Sequence, residues 1–109
     1  MATELNALGR YAGPATLILS SLAGGAKHGY ALKQDVESFA GVALGPGTLY
    51  GALTRLEEAG LIAARAGEGR RRPYALTPSG ARALQRQLTA QREVADVGLR
   101  RLSAVGGAA

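Results

Sequence analysis

The amino-acid sequence predicts a mainly α-helical fold with one small β-hairpin, closed by a long C-terminal helix. Three observations carry this. Apolar residues recur at three- and four-residue steps through most of the 109 residues, the mark of helices with one buried face. The step shortens to two only between Leu61 and Leu76, on either side of a turn built from Ala66-Gly67-Glu68-Gly69. Glycine or proline punctuates most boundaries between these stretches, so they read as separate elements on short connections.

Composition narrows the function classes. A chain of 109 residues without an internal repeat makes one domain, and one this small buries only about two-thirds of its unfolded surface, so a second subunit would add stability. With 47% hydrophobic but only 5% aromatic residues and no Trp, the core must be built from Leu, Val, Ile and Ala. The absence of Cys excludes disulfides and thiolate metal sites. The formal charge of +5 favours a polyanionic partner. No apolar run approaches the ~20 residues of a membrane span, and the N-terminus, with Glu4 and Arg10, lacks a basic region ahead of an apolar signal core. The default compartment is the cytoplasm, with no membrane partner.

Taken in order, residues 1–13 hold Leu5, Leu8 and Tyr11, spaced for a short helix with Thr3 as cap, or for a frayed arm. From Pro14, Leu17, Ile18, Leu19 and Leu22 form a mainly buried helix that Gly24-Gly25 ends. The next helix should start near Gly29 or Tyr30 and run to Ala40, with Leu32, Val36 and Phe39 on one stripe and Gly41 as its stop. After only a short Gly-containing connection comes a helix from Gly45 to Ala59. Pro46 suits its first position, Gly60 its end, and Leu49, Ala52, Leu53, Leu56 and Ala59 its apolar stripe. Two short helices on so tight a turn form a helix-turn-helix.

Leu61 to Arg65 and Pro73 to Leu76 read as strands, with Ile62 and Ala64 sharing one face and Tyr74 and Leu76 another. Pro73 has no N–H for a ladder and belongs at an edge or a strand start. A hairpin directly after a helix-turn-helix is a wing, and this one carries Arg70-Arg71-Arg72 at its tip. Thr77-Pro78 then opens a final helix to residue 103, with Leu84, Leu88, Gln91, Ala95, Leu99 and Leu102 in one seam. The seam outruns what a small winged domain can cover, so its expected cover is the same helix of a second chain. The fold class is therefore a winged helix-turn-helix over 14–77, preceded by the segment 1–13 and followed by a dimerisation helix over 78–103. The small-residue stretch 104–109 is expected to be disordered.

Several linked motifs resemble the PadR family of bacterial transcriptional regulators. They are Lys27-His28-Gly29-Tyr30-Ala31-Leu32, Gly45-Pro46-Gly47-Thr48-Leu49-Tyr50, Leu53-Thr54-Arg55-Leu56-Glu57-Glu58-Ala59-Gly60-Leu61-Ile62, and Gly69-Arg70-Arg71-Arg72-Pro73-Tyr74-Ala75-Leu76-Thr77-Pro78-Ser79-Gly80. The single C-terminal helix is similar to the short branch of that family. The resemblance implies a homodimer that binds a palindromic operator on double-stranded DNA, usually as a repressor, and releases it when a small-molecule effector binds. No cofactor is expected. Two departures stand out: Gly45 where the family commonly has Ser, and Gly51 where it has Pro. Drug-binding relatives stack ligands on an aromatic residue of the last helix, whereas no Trp, Phe or Tyr follows Tyr74 here.

The chemistry of the residues points the same way. The outward face of the helix from Gly45 to Ala59 carries Gly47, Thr48, Gly51, Thr54, Arg55 and Glu58, with Tyr50 at its edge. It is small, hydroxylated and part basic, suited to the major groove. Thr48, Tyr50, Thr54 and Arg55 are the candidates for base edges or phosphates, Arg55 being able to grip guanine bidentately. Arg70, Arg71 and Arg72 can reach phosphates or a minor groove. Tyr30, Lys27 and Lys33 are candidates for positioning the DNA backbone, against the plainer readings of packing for the tyrosine and ordinary surface charge for the lysines. His28, the only histidine, cannot build a His-rich metal site alone and is expected to cap a helix or make a local hydrogen bond. Gln91 either sets register at the dimer seam or touches an effector. No nucleophile, base and orienting group occur together, so an enzyme is not expected. The competing reading is a dimeric ligand-binding or protein-interaction module on a winged scaffold that does not bind specific DNA.

Overall fold

The computed structural model describes residues 4–66 and 72–106. It is mainly helical with one small antiparallel sheet. A 3-10 segment, Leu5–Tyr11, leads into α1 (Ala12–Leu22); α2 (Gly29–Ala40) and α3 (Pro46–Glu58) follow, then β1 (Ile62–Ala64), β2 (Tyr74–Leu76) and α4 (Pro78–Val105).

The core reaches further towards the N-terminus than Pro14. Leu5 is fully buried, and Leu8 and Tyr11 pack against the same cluster. Gly9, at φ 61 and ψ −126, breaks the 3-10 segment and turns the chain onto α1. Pro14 falls inside the first turn of α1, where a missing N–H breaks no intrahelical bond. Ala15, Ile18, Leu19 and Leu22 make α1 the central helix, packed by Leu32 and Val36 of α2 and by Leu49, Ala52, Leu53 and Leu56 of α3. Phe39 departs from expectation. It shares the stripe of Leu32 and Val36 but is 51% exposed, because the last turn of α2 runs past the edge of the core before Gly41 stops it in the left-handed region.

Buried Leu44 pins the connection between α2 and α3. Gly45 stands at the N-cap of α3 with extended backbone, and its carbonyl accepts from Leu49 N at 2.8 Å; it provides no side-chain cap. At the other end, Gly60 at φ 76 lets Gly60 N donate to Glu57 O and Leu61 N to Leu56 O, both at 3.0 Å. This pair of bonds is a Schellman stop. It delivers Leu61 and Ile62 into the core.

Ile62 pairs with Leu76, Ala63 with Ala75 and Ala64 with Tyr74. Pro73 lies just before β2, where its carbonyl accepts from Arg65 N at 2.7 Å and its lack of a donor breaks no rung of the ladder. The other edge of β2 is paired too: Lys27 N donates to Tyr74 O at 3.1 Å and Tyr74 N to Lys27 O at 2.8 Å. The hairpin is thereby tied to the loop between α1 and α2.

A compact junction then fixes α4. Thr77 N donates to Leu61 O (3.1 Å), its Oγ1 donates to Gly60 O (2.7 Å), and the same oxygen accepts from Gly80 N (3.0 Å), capping α4 as expected. Gly80 packs so closely on Leu61 that a Cβ there would lie 2.9 Å from the Leu61 carbonyl carbon and closer still to its oxygen. Only the first turns of α4, through Gly80, Ala83 and Leu84, are buried. The remainder projects, giving the molecule its 59 × 32 × 23 Å extents, and the helix continues to Val105. No helix among the described residues is long and apolar enough to cross a membrane.

Candidate nucleic-acid interface

Burial of Leu49, Ala52, Leu53 and Leu56 fixes which side of α3 faces out. Gly47, Thr48, Tyr50, Thr54, Arg55, Glu57 and Glu58 are all exposed, and Gly51 is half-buried. The outward surface has two flanks. Tyr50 and Glu57 face the hairpin, whereas Thr48 and Arg55 face the N-terminal 3-10 segment.

On the hairpin flank, a cleft of about 570 Å³ opens between α3, the start of α2 and the sheet, with His28, Tyr30, Tyr50, Glu57, Arg72 and Tyr74 around it. Tyr30 and Tyr50 are 65% and 55% exposed. Tyr50 crosses towards α2, its hydroxyl 3.0 Å from where a Cβ on Gly29 would stand, so the tyrosine ring would have to give slightly to any larger residue there. The Tyr30 hydroxyl accepts from Gln34 Nε2 at 3.1 Å, which leaves its own O–H to donate outward. Arg72 is exposed at the rim; Arg70 and Arg71 lie outside the described residues.

On α3 itself, Thr54 donates its hydroxyl to Tyr50 O at 2.9 Å, which leaves Thr54 Oγ1 free to act as an acceptor. Arg55 pairs with Glu58 at 3.6 Å, both more than half exposed. A surface pair of this kind contributes at most about 1 kcal/mol, so the guanidinium is readily surrendered to a stronger acceptor.

Several candidates are differently engaged than expected. Lys27 turns inward: its Nζ donates to Ser21 O (2.6 Å) and Gly25 O (3.2 Å) and lies 4.0 Å from Asp35, whose carboxylate also accepts from Ser21 Oγ. It closes the end of α1 onto α2. Lys33 forms a half-exposed ion pair with Glu37 at 3.0 Å. The His28 side chain makes no cap bond; only its carbonyl serves α2, accepting from Leu32 N. Leu84 is spent on the chain's own core at 6% exposed, so the exposed apolar stripe of α4 begins at Leu88. From there Leu88, Gln91, Ala95, Leu99 and Leu102 are exposed, joined by Val94 and Val105. Among the described residues, no cluster of His, Asp and Glu could hold a metal ion.

Sequence reasoning missed the flank formed by Arg10 and Tyr11. The Tyr11 hydroxyl stands 2.7 Å from where a Cβ on Gly51 would be, so this glycine is what lets the ring lie on α3. The one available signal was the glycine itself, in the middle of a helix where it costs about 1 kcal/mol relative to Ala.

The transcriptional regulator PadR-like family model matches residues 18–86, well over half of the chain. A PadR family transcription regulator of Clostridium difficile R20291 has a similar structure, with 30% identity and a TM-score of 0.72 over 81% of this chain and 96% of that one. A transcriptional regulator from Clostridium thermocellum superposes with a TM-score of 0.71 at 29% identity, covering 79% of this chain and 86% of that one. An uncharacterized 37.1 kDa protein in transposon TN4556 of Streptomyces fradiae is 48% identical over 71 residues, or 65% of this chain. The chain spans only 21% of that relative's length.

Proposed function

The chain belongs to the PadR-like family of transcriptional regulators, and from that premise we propose that it is a sequence-specific repressor, a homodimer on a palindromic operator that a small-molecule effector releases. The observation that carries this reading is the pairing of an exposed, small and hydroxylated α3 face with a hairpin tied beside it by the Lys27–Tyr74 bridge. A helix presented in this way fits a major groove while the hairpin follows the backbone. Thr48, Thr54 and Arg55 are assigned to base edges, Arg55 exchanging Glu58 for guanine. Tyr30, Tyr50, Arg70, Arg71 and Arg72 are assigned to phosphates, which position the protein without reading sequence. Lys33 adds charge near the start of α2.

The partner subunit covers the open seam of α4 from Leu88 to Leu102, with Gln91 setting register within it. Without an aromatic residue in this helix, an effector would be held by aliphatic contacts and Gln91 rather than by stacking.

The reading is tested by titrating the protein into DNA from upstream of its own gene at several salt concentrations. Selective binding is expected, with a steep negative slope of log affinity on log salt to which each phosphate contact adds about −0.9. Arg72→Ala should weaken every sequence alike and flatten the slope, whereas Arg55→Ala should also relax base preference. Equal affinity for all duplexes would overturn a sequence-specific regulator. Failure to retard any DNA, with dimerisation intact, would favour an interaction module on a winged scaffold.

A further inference from the structure

We propose that Arg10 is a DNA-binding residue, held by Tyr11 against the phosphate strand on the side of α3 opposite the hairpin; the inference rests on the DNA-binding reading above. A helix about 10–12 Å across in a groove about 12 Å wide has a phosphate strand along each flank. Among the described residues, the hairpin lines the flank of Tyr50 and Glu57.

The other flank is furnished by the 3-10 segment. Tyr11 lies over Gly51, its hydroxyl and ring 2.7–3.0 Å from where a Cβ would stand. Arg10 Nη2 donates to the Tyr11 hydroxyl at 2.9 Å, and its guanidinium sits 4.9 Å from the ring centroid. The Arg55 guanidinium lies 5.9 Å from the same centroid. One tyrosine therefore gathers two arginines beside α3. Glu58 partners Arg55, but Arg10 pairs with no carboxylate among the described residues. Beside it, Arg10, Tyr11, Gly47 and Thr48 enclose an open depression of about 310 Å³. Two neighbouring cations with one carboxylate between them invite an anion, and a phosphodiester supplies it. Tyr11 is the positioning residue: it accepts from Arg10 and holds the segment on the helix. Gly51 thus becomes a seat for Tyr11, and the kink at Gly9 is what brings the segment to it.

The test compares the full chain with Arg10→Ala, Arg10→Lys, Gly51→Ala and the double variant, each titrated into upstream DNA and an unrelated duplex between 50 and 200 mM salt. Arg10→Ala should flatten the salt slope by about 0.9, which is on the order of a ten-fold loss near 0.1 M salt, equally for both duplexes. Arg10→Lys should keep the slope, because a phosphate asks for charge. Gly51→Ala, by displacing the Tyr11 hydroxyl, should mimic Arg10→Ala, and the double variant should be no worse than either single, as for residues acting as one unit. Thermal unfolding of Arg10→Ala should match the parent, since the side chain is exposed. A parent that binds with an unchanged slope in Arg10→Ala overturns this inference alone. A parent that retards no DNA overturns the regulator reading, and this inference with it.

Discussion

Replacing Gly80 with Ala tests the junction on which the arrangement of α4 depends. Helix propensity by itself predicts a gain, since Ala is favoured over Gly by about 0.8–1.0 kcal/mol in a helix interior. The surroundings predict the opposite. The new Cβ would stand 2.9 Å from the Leu61 carbonyl carbon, closer to its oxygen, and 3.0 Å from Leu76 Cδ1. Because backbone is the main obstacle, relief requires moving the first turn of α4 away from Leu61. That movement stretches the bonds from Thr77 N to Leu61 O and from Gly80 N to Thr77 Oγ1. Overpacking of this kind costs about 1–3 kcal/mol, and each weakened hydrogen bond up to about 1 kcal/mol more. After subtracting the propensity gain, the terms centre on a net loss of about 2 kcal/mol and reach about 4 at most; about 2 kcal/mol in a domain of this size lowers Tm by roughly 8–16 °C. Thermal and urea unfolding followed by far-UV circular dichroism measure it. The control is Gly13→Ala, where a Cβ would meet nothing within 4 Å; it should be neutral or slightly stabilising. A Gly80→Ala protein as stable as the parent would refute the reasoning.

Two other substitutions separate structural from functional roles. Lys27→Met removes the donor to Ser21 O and Gly25 O; stability should fall by about 1–2 kcal/mol while the salt slope of DNA binding stays unchanged, and a flattened slope would show that Lys27 contacts phosphate after all. Leu99→Glu with Leu102→Glu places charge on two side chains about two-thirds exposed in the isolated subunit; light scattering should give a monomer mass where the parent gives a dimer, with the subunit's helical content kept, and a persistent dimer would exclude this face as the seam.

The sequence was legible where punctuation and period coincide. Gly41, Gly45-Pro46 and Gly60 bound α2 and α3 almost to the residue, because a left-handed stop or a fixed φ is a local requirement. What stayed hidden depends on who the neighbour is. Periodicity placed Leu84 and Leu88 on one stripe but could not say that the first is covered by its own chain. It placed Phe39 inward because it cannot see where a core ends. The pairing of Lys27 with Tyr74 involves a single residue on one side and so leaves no alternating pattern. On α3, the exposed residues were readable from the buried ones, but the contact between Tyr11 and Gly51 was not. It exists only because Gly9 bends the chain back across a helix some forty residues later.

The bonds that Thr77 makes to Gly60, Leu61 and Gly80 join the end of α3, the first strand and α4 into one stiff body. Angular error therefore has nowhere to dissipate. At ~1.5 Å per residue, the 28 residues of α4 extend about 42 Å. In the proposed dimer, a change of about 5° in the crossing of two such helices, acting over ~30 Å, would swing each α3 by roughly 2.5 Å. Successive base pairs are ~3.4 Å apart, and the two half-sites must sit about one DNA turn apart. A rotation too slight to disturb any contact within the subunit would thus put both reading helices out of phase with the duplex. In that dimer the long helix would be a lever with its load at one end, and its stiffness would convert small rotations at the seam into the difference between a matched and a mismatched groove.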